Sequence, residues 1–157
     1  MNKSNLNNFA ISEEMYAWLE ENLPAGSTIL EFGSGTGTIE LTQKYTVYSV
    51  EQSEKYIGVA PLSNYIYAPL IDGWYDAEVV FKNIPKKYDL LLVDGPGGSE
   101  YRHNMVRYWD KFNTDVPMIF DDTHRRYEMK FAVETAERFN KTIEIIPGHQ
   151  KTFAVLT

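Results

Sequence analysis

Cysteine is missing from this sequence of 157 residues. A chain without cysteine forms no disulfide bond and no thiolate metal site. Long apolar runs are missing as well, since no stretch approaches the roughly 20 residues that a helix needs to cross a bilayer. The first eight residues are polar and contain no apolar signal core. These absences predict a soluble, cytoplasmic protein that does not associate with a membrane.

An excess of positive charge is also missing. The chain has 15 Lys and Arg against 22 Asp and Glu, and its formal net charge is −7 at pH 7. Proteins that bind nucleic acid use basic surfaces to neutralise phosphates. The composition therefore argues against a nucleic acid partner.

What is present is an alternation of short apolar runs with amphipathic stretches, which is the pattern of an α/β domain with a mainly parallel sheet. The predicted strands are 28–32, 46–50, 64–70, 88–94, 116–120, 142–146 and 151–156. The predicted helices are one capped by Ser12, then 38–45, a short one at 53–59, 99–112 and 123–140. The stretch 72–87 is interrupted by Gly73 and Pro85 and predicts at most one helical segment. Seven strands fill the chain, so we expect a single domain, 1–157, with a helix before the first strand in residues 1–27.

The strongest motif is the glycine loop at residues 31–37, with the sequence EFGSGTG, directly between a predicted strand and a predicted helix. Glycines allow a tight turn and the close approach of a ligand, and a helix start offers unpaired N–H groups. The loop therefore suits a nucleotide-like ligand. The alternative is a simple tight turn.

Glu51 closes the second predicted strand, 14 residues after Gly37. An acid at that place can accept two hydrogen bonds from a ribose diol. The alternative for Glu51 alone is a solvated carboxylate at a strand end. The glycine loop nearby favours the ribose interpretation.

With these residues, the sequence resembles class I S-adenosylmethionine-dependent methyltransferases. The family's first motif, E/D-x-G-x-G-x-G, is matched by Glu31, Gly33, Gly35 and Gly37. Its ribose acid is matched by Glu51, and the acid that commonly ends its fourth strand by Asp94. The resemblance implies a Rossmann-like, seven-stranded, mainly parallel sheet with helices on both faces and a C-terminal antiparallel hairpin. It also implies S-adenosylmethionine as the cofactor.

The resemblance further implies where the cofactor lies. Residues 33–37, including Ser34, would surround its methionine and ribose part, and Gln52 would flank the ribose or adenine unless it is an ordinary turn residue. Asp72 would bond the adenine amino group. Trp74 would stack on the adenine or the substrate, or else be a core aromatic. Asp94 would lie beside the cofactor.

Asp94, Asp121 and Asp122 end the fourth and fifth predicted strands. Neighbouring ends of a parallel sheet converge at one edge, and three carboxylates there repel one another unless a positive charge lies among them. Mg²⁺ takes oxygen ligands of this kind, and the arrangement looks like the metal site of catechol-type O-methyltransferases, with Asp122 where these have Asn. The alternative is that Asp121 or Asp122 caps the next helix and that Asp94 orders its loop.

The strings D-G-P at residues 94–96 and D-D-x-x-R-x-x-E at residues 121–128 resemble a group of bacterial methyltransferase-like proteins, some linked to cell-surface sugars. Arg125 and Glu128 are three residues apart and can pair on a helix. His124 lies beside the acids and is a candidate general base. Arg102 and His103 are candidates for contact with an anionic substrate. Each of the last three has a surface role as its alternative.

These features together predict O-methylation of a small polar molecule or a sugar, with the proton taken by a metal-bound group, by His124 or by an aspartate such as Asp94. One rival is an NAD(P)-binding oxidoreductase, whose G-x-G-x-x-G pattern would need glycine or alanine at Thr38. The other rival is a non-catalytic binding module. We expect the site to be open, covered by residues 72–87, or completed by a second subunit in a homo-oligomer.

Overall fold

The computed structural model describes residues 11–157, and the polar residues 1–8, predicted to carry no signal core, lie outside it. The described residues form nine strands: β1 Thr28–Phe32, β2 Thr46–Glu51, β3 Asn64–Tyr67, β4 Leu70–Ile71, β5 Trp74–Tyr75, β6 Leu90–Val93, β7 Met118–Phe120, β8 Ile143–Pro147 and β9 Thr152–Leu156. Seven of them form one sheet in the order β3-β2-β1-β6-β7-β9-β8. The first five of that order are parallel, and β9 is antiparallel to both β7 and β8. The predicted seven-stranded sheet with its closing hairpin is confirmed.

Five α-helices connect the strands: α1 Glu13–Asn22, α2 Thr36–Leu41, α3 Ala77–Asn83, α4 Ser99–His103 and α5 Arg126–Arg138. Ser12 caps α1 as predicted, because its hydroxyl accepts the backbone N–H of Met15 at 3.1 Å. The predicted helix 99–112 is only partly α-helical, since residues 104–111 tighten into a 3₁₀ helix. None of the helices in residues 11–157 combines the length and the apolar character that a bilayer crossing requires.

The core lies on both faces of the sheet. Along β6, Leu91 and Val93 pack into one apolar cluster, while Leu90 and Leu92 pack into the other. A strand with neighbours above and below buries both of its faces, which explains the unbroken apolar run in its sequence. The adjoining helices cover the sheet and leave the carboxyl ends of the parallel strands as the accessible edge.

The third strand is shorter than predicted. It ends at Tyr67, and the chain then forms the separate hairpin of β4 and β5, with Asp72 in its turn at a positive φ of 53°. The hairpin directs Trp74 into the core, where the side chain is 1% exposed. Its ring stacks on Tyr108 with centroids 4.7 Å apart and on Phe32 with centroids 5.6 Å apart. Of the two alternatives for Trp74, the core aromatic is the one that the structure has.

The predicted helix 123–140 begins later, at Arg126. Asp122 has a left-handed φ of 60°, which aspartate tolerates better than most side chains. The backbone N–H of Thr123 donates to the carbonyl of Thr152 at 2.9 Å. Residues 121–123 therefore lie beside the start of β9 before the helix begins. This places Asp121 and Asp122 at the edge of the sheet.

Candidate active site

A cavity of about 530 Å³ opens at the carboxyl ends of β1, β2 and β6, where ligands bind in open α/β sheets. Its size is within the usual range for small-molecule sites. The lining is residues 33–36 after β1, then Glu51, Gln52, Lys55 and Tyr56 after β2, then Asp94, Gly95 and Gly97 after β6, and finally Arg102, Asp122, Arg125 and Lys151. Most of the lining is polar or charged.

The glycine loop forms one wall of this cavity. Gly33 has a φ of +86°, and a Cβ atom there would lie 2.7 Å from the carbonyl oxygen of Asp94. Its N–H donates to the carbonyl of Val50 at 2.9 Å. Gly33 thus allows the loops after β1 and β6 to approach each other closely, and Ser34, Gly35 and Thr36 continue along the cavity.

Glu31 lies behind this loop, outside the lining, and is 2% exposed. Its Oε1 accepts hydrogen bonds from the hydroxyls of Thr38 and Ser49, both at 2.6 Å. The Thr38 oxygen in turn accepts the N–H of Gly35 at 3.2 Å. Burial raises the pKa of Glu31 from 4.5 to about 7, although both hydroxyl bonds act in the opposite direction. Glu31, the first acid of the motif, therefore stabilises the glycine loop and does not contact the cavity.

Gly37 also lies outside the cavity lining. A Cβ atom at this position would lie 2.6 Å from the backbone nitrogen of Ile11. The residue is buried in the first turn of α2. The structure explains this glycine by the close approach of the segment before α1.

Glu51 lines the cavity and is 2% exposed. Its Oε2 accepts the N–H of Ser34 at 2.9 Å and the Ser34 hydroxyl at 2.7 Å, and its Oε1 accepts the N–H of Ser53 at 2.9 Å. A carboxylate has about four acceptor sites. One site is left on Oε1, and the mobile hydroxyl of Ser34 occupies another that a ligand can take over.

Of the other residues predicted near the cofactor, Gln52 lines the cavity and Asp72 does not. Asp72 lies in the turn of the β4–β5 hairpin, where its carbonyl accepts a bond from Arg107 at 2.9 Å. The predicted third strand reached residue 70, which would put Asp72 at the sheet edge, whereas β3 ends at Tyr67. Lys55 and Tyr56, which the sequence analysis missed, line the cavity on the side of Gln52.

Asp94, Asp121 and Asp122 come together as predicted, with one oxygen of each within 4.8 Å of the others. Asp94 and Asp122 line the cavity, and Asp121 does not. Burial, and then the charge of Asp121, raises the pKa of Asp94 well above its ordinary value. Asp94 is therefore a carboxylate with increased basicity that faces the cavity.

Two cations of the chain lie among these acids. Arg102 reaches Asp122 at 3.0 Å and Asp94 at 3.7 Å, and its side chain is 7% exposed. Lys151 donates to Asp121 Oδ2 at 2.6 Å. The surface alternative for Arg102 is wrong, because the guanidinium is enclosed by the acids that follow β6 and β7.

The predicted pair of Arg125 and Glu128 is present, with 3.8 Å between Nη1 and Oε1. Arg125 also approaches Asp122 at 3.5 Å and lines the cavity. His124 is exposed and does not line it. His103 is partly exposed, and its Nε2 lies 3.0 Å from Glu134 Oε2. The structure thus brings Arg125 to the cavity and leaves both histidines outside.

Lys151 is the other cavity residue that the sequence analysis missed. It directly precedes β9, and β9 pairs with β7, which brings Lys151 back to the aspartates at the end of β7. The signal for this contact was the predicted hairpin itself, since an antiparallel strand next to the fifth strand must begin where that strand ends.

No family model and no curated protein matches the sequence, but solved structures do. Aeropyrum pernix fibrillarin with bound S-adenosylmethionine is 16% identical, with a TM-score of 0.63 over 96% of this chain and 76% of that one. A Pyrococcus furiosus methyltransferase is 15% identical, with a TM-score of 0.60 over 91% and 79%. Magnesium protoporphyrin IX methyltransferase from Synechocystis PCC 6803, also with bound S-adenosylmethionine, is 18% identical, with a TM-score of 0.54 over 92% and 75%.

At these identities the likeness is one of architecture. It covers nearly the whole described chain and includes the parallel strands, the edge at which the cavity lies and the antiparallel hairpin. The protein therefore has the fold of the class I, S-adenosylmethionine-dependent methyltransferases.

Proposed function

We propose that this protein is a methyltransferase that binds S-adenosylmethionine and methylates an oxygen atom of a small polar molecule. The observation that carries the proposal is the position of Glu51, which lies on a nucleotide-sized cavity beside the glycine loop. That is the place of a ribose-binding acid in folds that bind nucleotides at the ends of parallel strands. The fold shared with proteins that bind this cofactor supports the same assignment.

The residues present fit the cofactor. The glycine loop leaves its side of the cavity without bulky side chains, and Glu51 offers the acceptor site on Oε1 to a ribose hydroxyl. The Ser34 hydroxyl turns away to release a second site. Gln52, Lys55 and Tyr56 continue the lining beyond Glu51, and we assign the adenine to them. In this proposal Glu31 and Gly37 shape the loop without touching the ligand, and Asp72 takes no part.

The acceptor would occupy the charged end of the cavity. The cofactor supplies a methyl group that its sulfonium already activates, so the protein must orient the acceptor and remove its proton. We assign Asp94 as the general base that accepts this proton, because it faces the cavity and its pKa is raised above the ordinary value. Asp122, Arg125 and Lys151 offer both acceptors and donors to a hydroxylated molecule. A sugar or another small polar compound suits this end better than an apolar one.

His124 does not serve as the base in this proposal. It is exposed and outside the cavity lining, and a general base must come within hydrogen-bond reach of the proton that it removes. The predicted Mg²⁺ has no step assigned to it either, because Asp121 is not part of the cavity lining and accepts a hydrogen bond from Lys151.

The rival assignment, an NAD(P)-binding oxidoreductase, is disfavoured at Thr38. A dinucleotide fingerprint needs glycine or alanine at this position for close packing of helix and strand. Here the Thr38 hydroxyl is buried and connects Glu31 with the N–H of Gly35. The threonine thus stabilises the loop in a form suited to the methyltransferase motif.

Calorimetric titration with S-adenosylhomocysteine tests the proposal directly. We expect micromolar binding by the wild-type protein, binding weaker by roughly tenfold or more in Glu51→Ala, and full retention in Glu54→Ala, an exposed acid nearby in the chain. NADH in the same cell should give no heat. Binding of NADH instead of S-adenosylhomocysteine would establish the rival, and binding of neither by folded protein would leave the non-catalytic module.

The oxygen acceptor is then sought with S-adenosylmethionine carrying a labelled methyl group. A panel of sugars, hydroxy acids and simple alcohols is incubated with the protein, and transfer of label is measured. We expect label in a hydroxylated, polar member of the panel. Transfer only to amines would retain the cofactor assignment and contradict O-methylation.

A further inference from the structure

The acids at the ends of β6 and β7 are arranged as a cluster of the kind that attracts a divalent ion. Asp94, Asp121 and Asp122 each place a carboxylate oxygen within 4.8 Å of the others. Without a cation, three carboxylates at this distance could not all remain ionised. The question is which positive charge this cluster is built to hold.

In Asp121, both carboxylate oxygens already accept hydrogen bonds from groups of this chain. Oδ1 accepts the N–H of Asp122 at 2.8 Å, and Oδ2 accepts the ammonium of Lys151 at 2.6 Å. Asp121 is 1% exposed and does not line the cavity. An ion that used this carboxylate would have to displace Lys151 from it.

Arg102 provides the second positive charge. Its guanidinium lies 3.0 Å from Asp122 and 3.7 Å from Asp94, and its Nη1 lies 4.0 Å from Glu128. The Nε atom donates to the carbonyl of Pro96 at 3.3 Å, which fixes the side chain against the D-G-P loop. A guanidinium is effectively always protonated in proteins, and this one lies among three acids, so it stays charged.

Lys151 is also held as a cation. It lies half-buried beside Asp121, with 2.6 Å between its ammonium nitrogen and Asp121 Oδ2. An ammonium has three N–H groups, and one of them bonds Asp121. Lys151 lines the cavity, so its charge is part of the surface that an acceptor would meet.

We infer that Arg102 and Lys151 are permanent counter-ions that replace a divalent metal ion in this aspartate cluster, so that methyl transfer at this site needs no metal. The inference rests on the proposed function for the reaction, but the charge arrangement itself concerns only residues of this chain. A divalent ion placed among the three acids would lie close to both cations, and their repulsion opposes its binding.

In the first test, the chelator-treated wild-type protein is titrated with Mn²⁺, and the concentration of free Mn²⁺ is measured by electron paramagnetic resonance. We expect no specific binding by the wild-type protein, and the affinity for S-adenosylhomocysteine should be the same with Mg²⁺ as with EDTA. Binding of one Mn²⁺ per chain at micromolar concentration, abolished in Asp121→Asn, would overturn the inference.

The second test removes one counter-ion. Lys151→Met keeps the apolar part of the side chain and deletes the charge, which leaves Asp121 without its cation. We expect this variant to show specific Mn²⁺ binding where the wild-type protein shows none, because Asp121 then lacks a cation. The control Lys130→Met, at an exposed position of α5, should show no specific binding, like the wild-type protein. A folded Lys151→Met protein that still ignores Mn²⁺ would contradict the role given to Lys151.

The two proposals fail separately. Loss of S-adenosylhomocysteine binding in every sample would overturn the proposed function and leave the Mn²⁺ results interpretable. Specific Mn²⁺ binding by a wild-type protein that also binds S-adenosylhomocysteine would overturn only the metal-free cluster. A wild-type protein that binds no Mn²⁺ supports the inference without any variant. If it does bind one Mn²⁺ per chain, the loss of that binding in Asp121→Asn assigns the ion to the cluster and overturns the inference.

Discussion

The hydroxyl of Ser34 donates to Glu51 Oε2 at 2.7 Å, at an oxygen that a ribose hydroxyl would also use. The same oxygen accepts the backbone N–H of Ser34 at 2.9 Å, and this second bond is independent of the side chain. The serine therefore holds the acid in place by its backbone and competes with the ligand by its side chain. Different substitutions separate these two effects.

Ser34→Ala should bind S-adenosylhomocysteine as well as the wild-type protein or a few-fold more tightly, because Glu51 no longer has to give up a bond. Glu51→Ala should weaken binding by roughly tenfold or more, the effect of losing a hydrogen bond to a charged group. Calorimetric titration measures both. Equal losses in the two variants would mean that the Ser34 hydroxyl contacts the ligand itself.

Glu31→Gln should change the pH dependence of stability. The folded pKa of Glu31 is raised from 4.5 to about 7, so the folded state binds its proton more tightly than the unfolded state does. The wild-type free energy of unfolding therefore decreases as pH rises through this window. Each pKa unit corresponds to roughly 1.4 kcal/mol, so at a pH well above the folded pKa the ionised Glu31 lowers the free energy of unfolding by about 3 kcal/mol.

The glutamine variant lacks this ionisation. Relative to the wild-type protein, it should gain most of those ~3 kcal/mol between about pH 5 and about pH 8 in urea denaturation. Glu54→Gln, at an exposed position, should show no such gain. A difference between Glu31→Gln and wild type that does not change with pH would show that Glu31 is already ionised at low pH.

Asp94→Asn should lower the rate of methyl transfer by about 10² to 10⁴, the usual range for loss of a general base. Affinity for S-adenosylhomocysteine should stay within a few-fold of wild type. Because the pKa of Asp94 is raised, the wild-type rate should rise with pH until the carboxylate is deprotonated. The measurement is a pH–rate profile with the labelled methyl donor, and Asp110→Asn, exposed on the 3₁₀ helix, is the control.

The same substitution should stabilise the fold. A carboxyl with a raised folded pKa is destabilising once it ionises, and asparagine has no charge to bury. A higher melting temperature at neutral pH together with lower activity is therefore expected for Asp94→Asn. A variant that is both fully active and unchanged in stability would remove Asp94 from the mechanism.

Gly37→Ala should destabilise the protein by about 1–3 kcal/mol, the usual cost of overpacking. The added methyl group would lie 2.6 Å from the backbone nitrogen of Ile11, which cannot move like a flexible side chain. Gly97→Ala is the matched control, because a Cβ atom there meets nothing within 4 Å. Chemical denaturation measures both, and equal stabilities would mean that the segment before α1 moves aside freely.

The sequence was informative wherever chain spacing alone determines the structure. The continuous apolar run at Leu90–Val93 predicts a strand buried on both faces, and a glycine loop between strand and helix predicts an open edge above β1. Glu51 is the last residue of β2, and its place at the end of a predicted strand is enough to put it at that edge. These features depend on neighbours along the chain.

The features that the sequence did not reveal depend on contacts between distant segments. Arg102 is a charged residue in a polar stretch, and only its packing against the ends of β6 and β7 explains its burial. Lys151 and Asp121 are 30 residues apart and meet through the pairing of β9 with β7. Asp72 was misplaced because the predicted third strand ran through Pro69 to residue 70, whereas β3 ends at Tyr67 and the separate hairpin begins at Leu70.

The position of β9 has a consequence for how the protein matures on the ribosome. This strand follows all the others in the chain but is inserted between β7 and β8 in the sheet. Until residues 151–156 have emerged, β7 exposes an unpaired edge and Asp121 lacks its counter-ion. A single short segment thus closes the sheet and brings Lys151 to Asp121 together, and the charged end of the cavity cannot form before that segment is available.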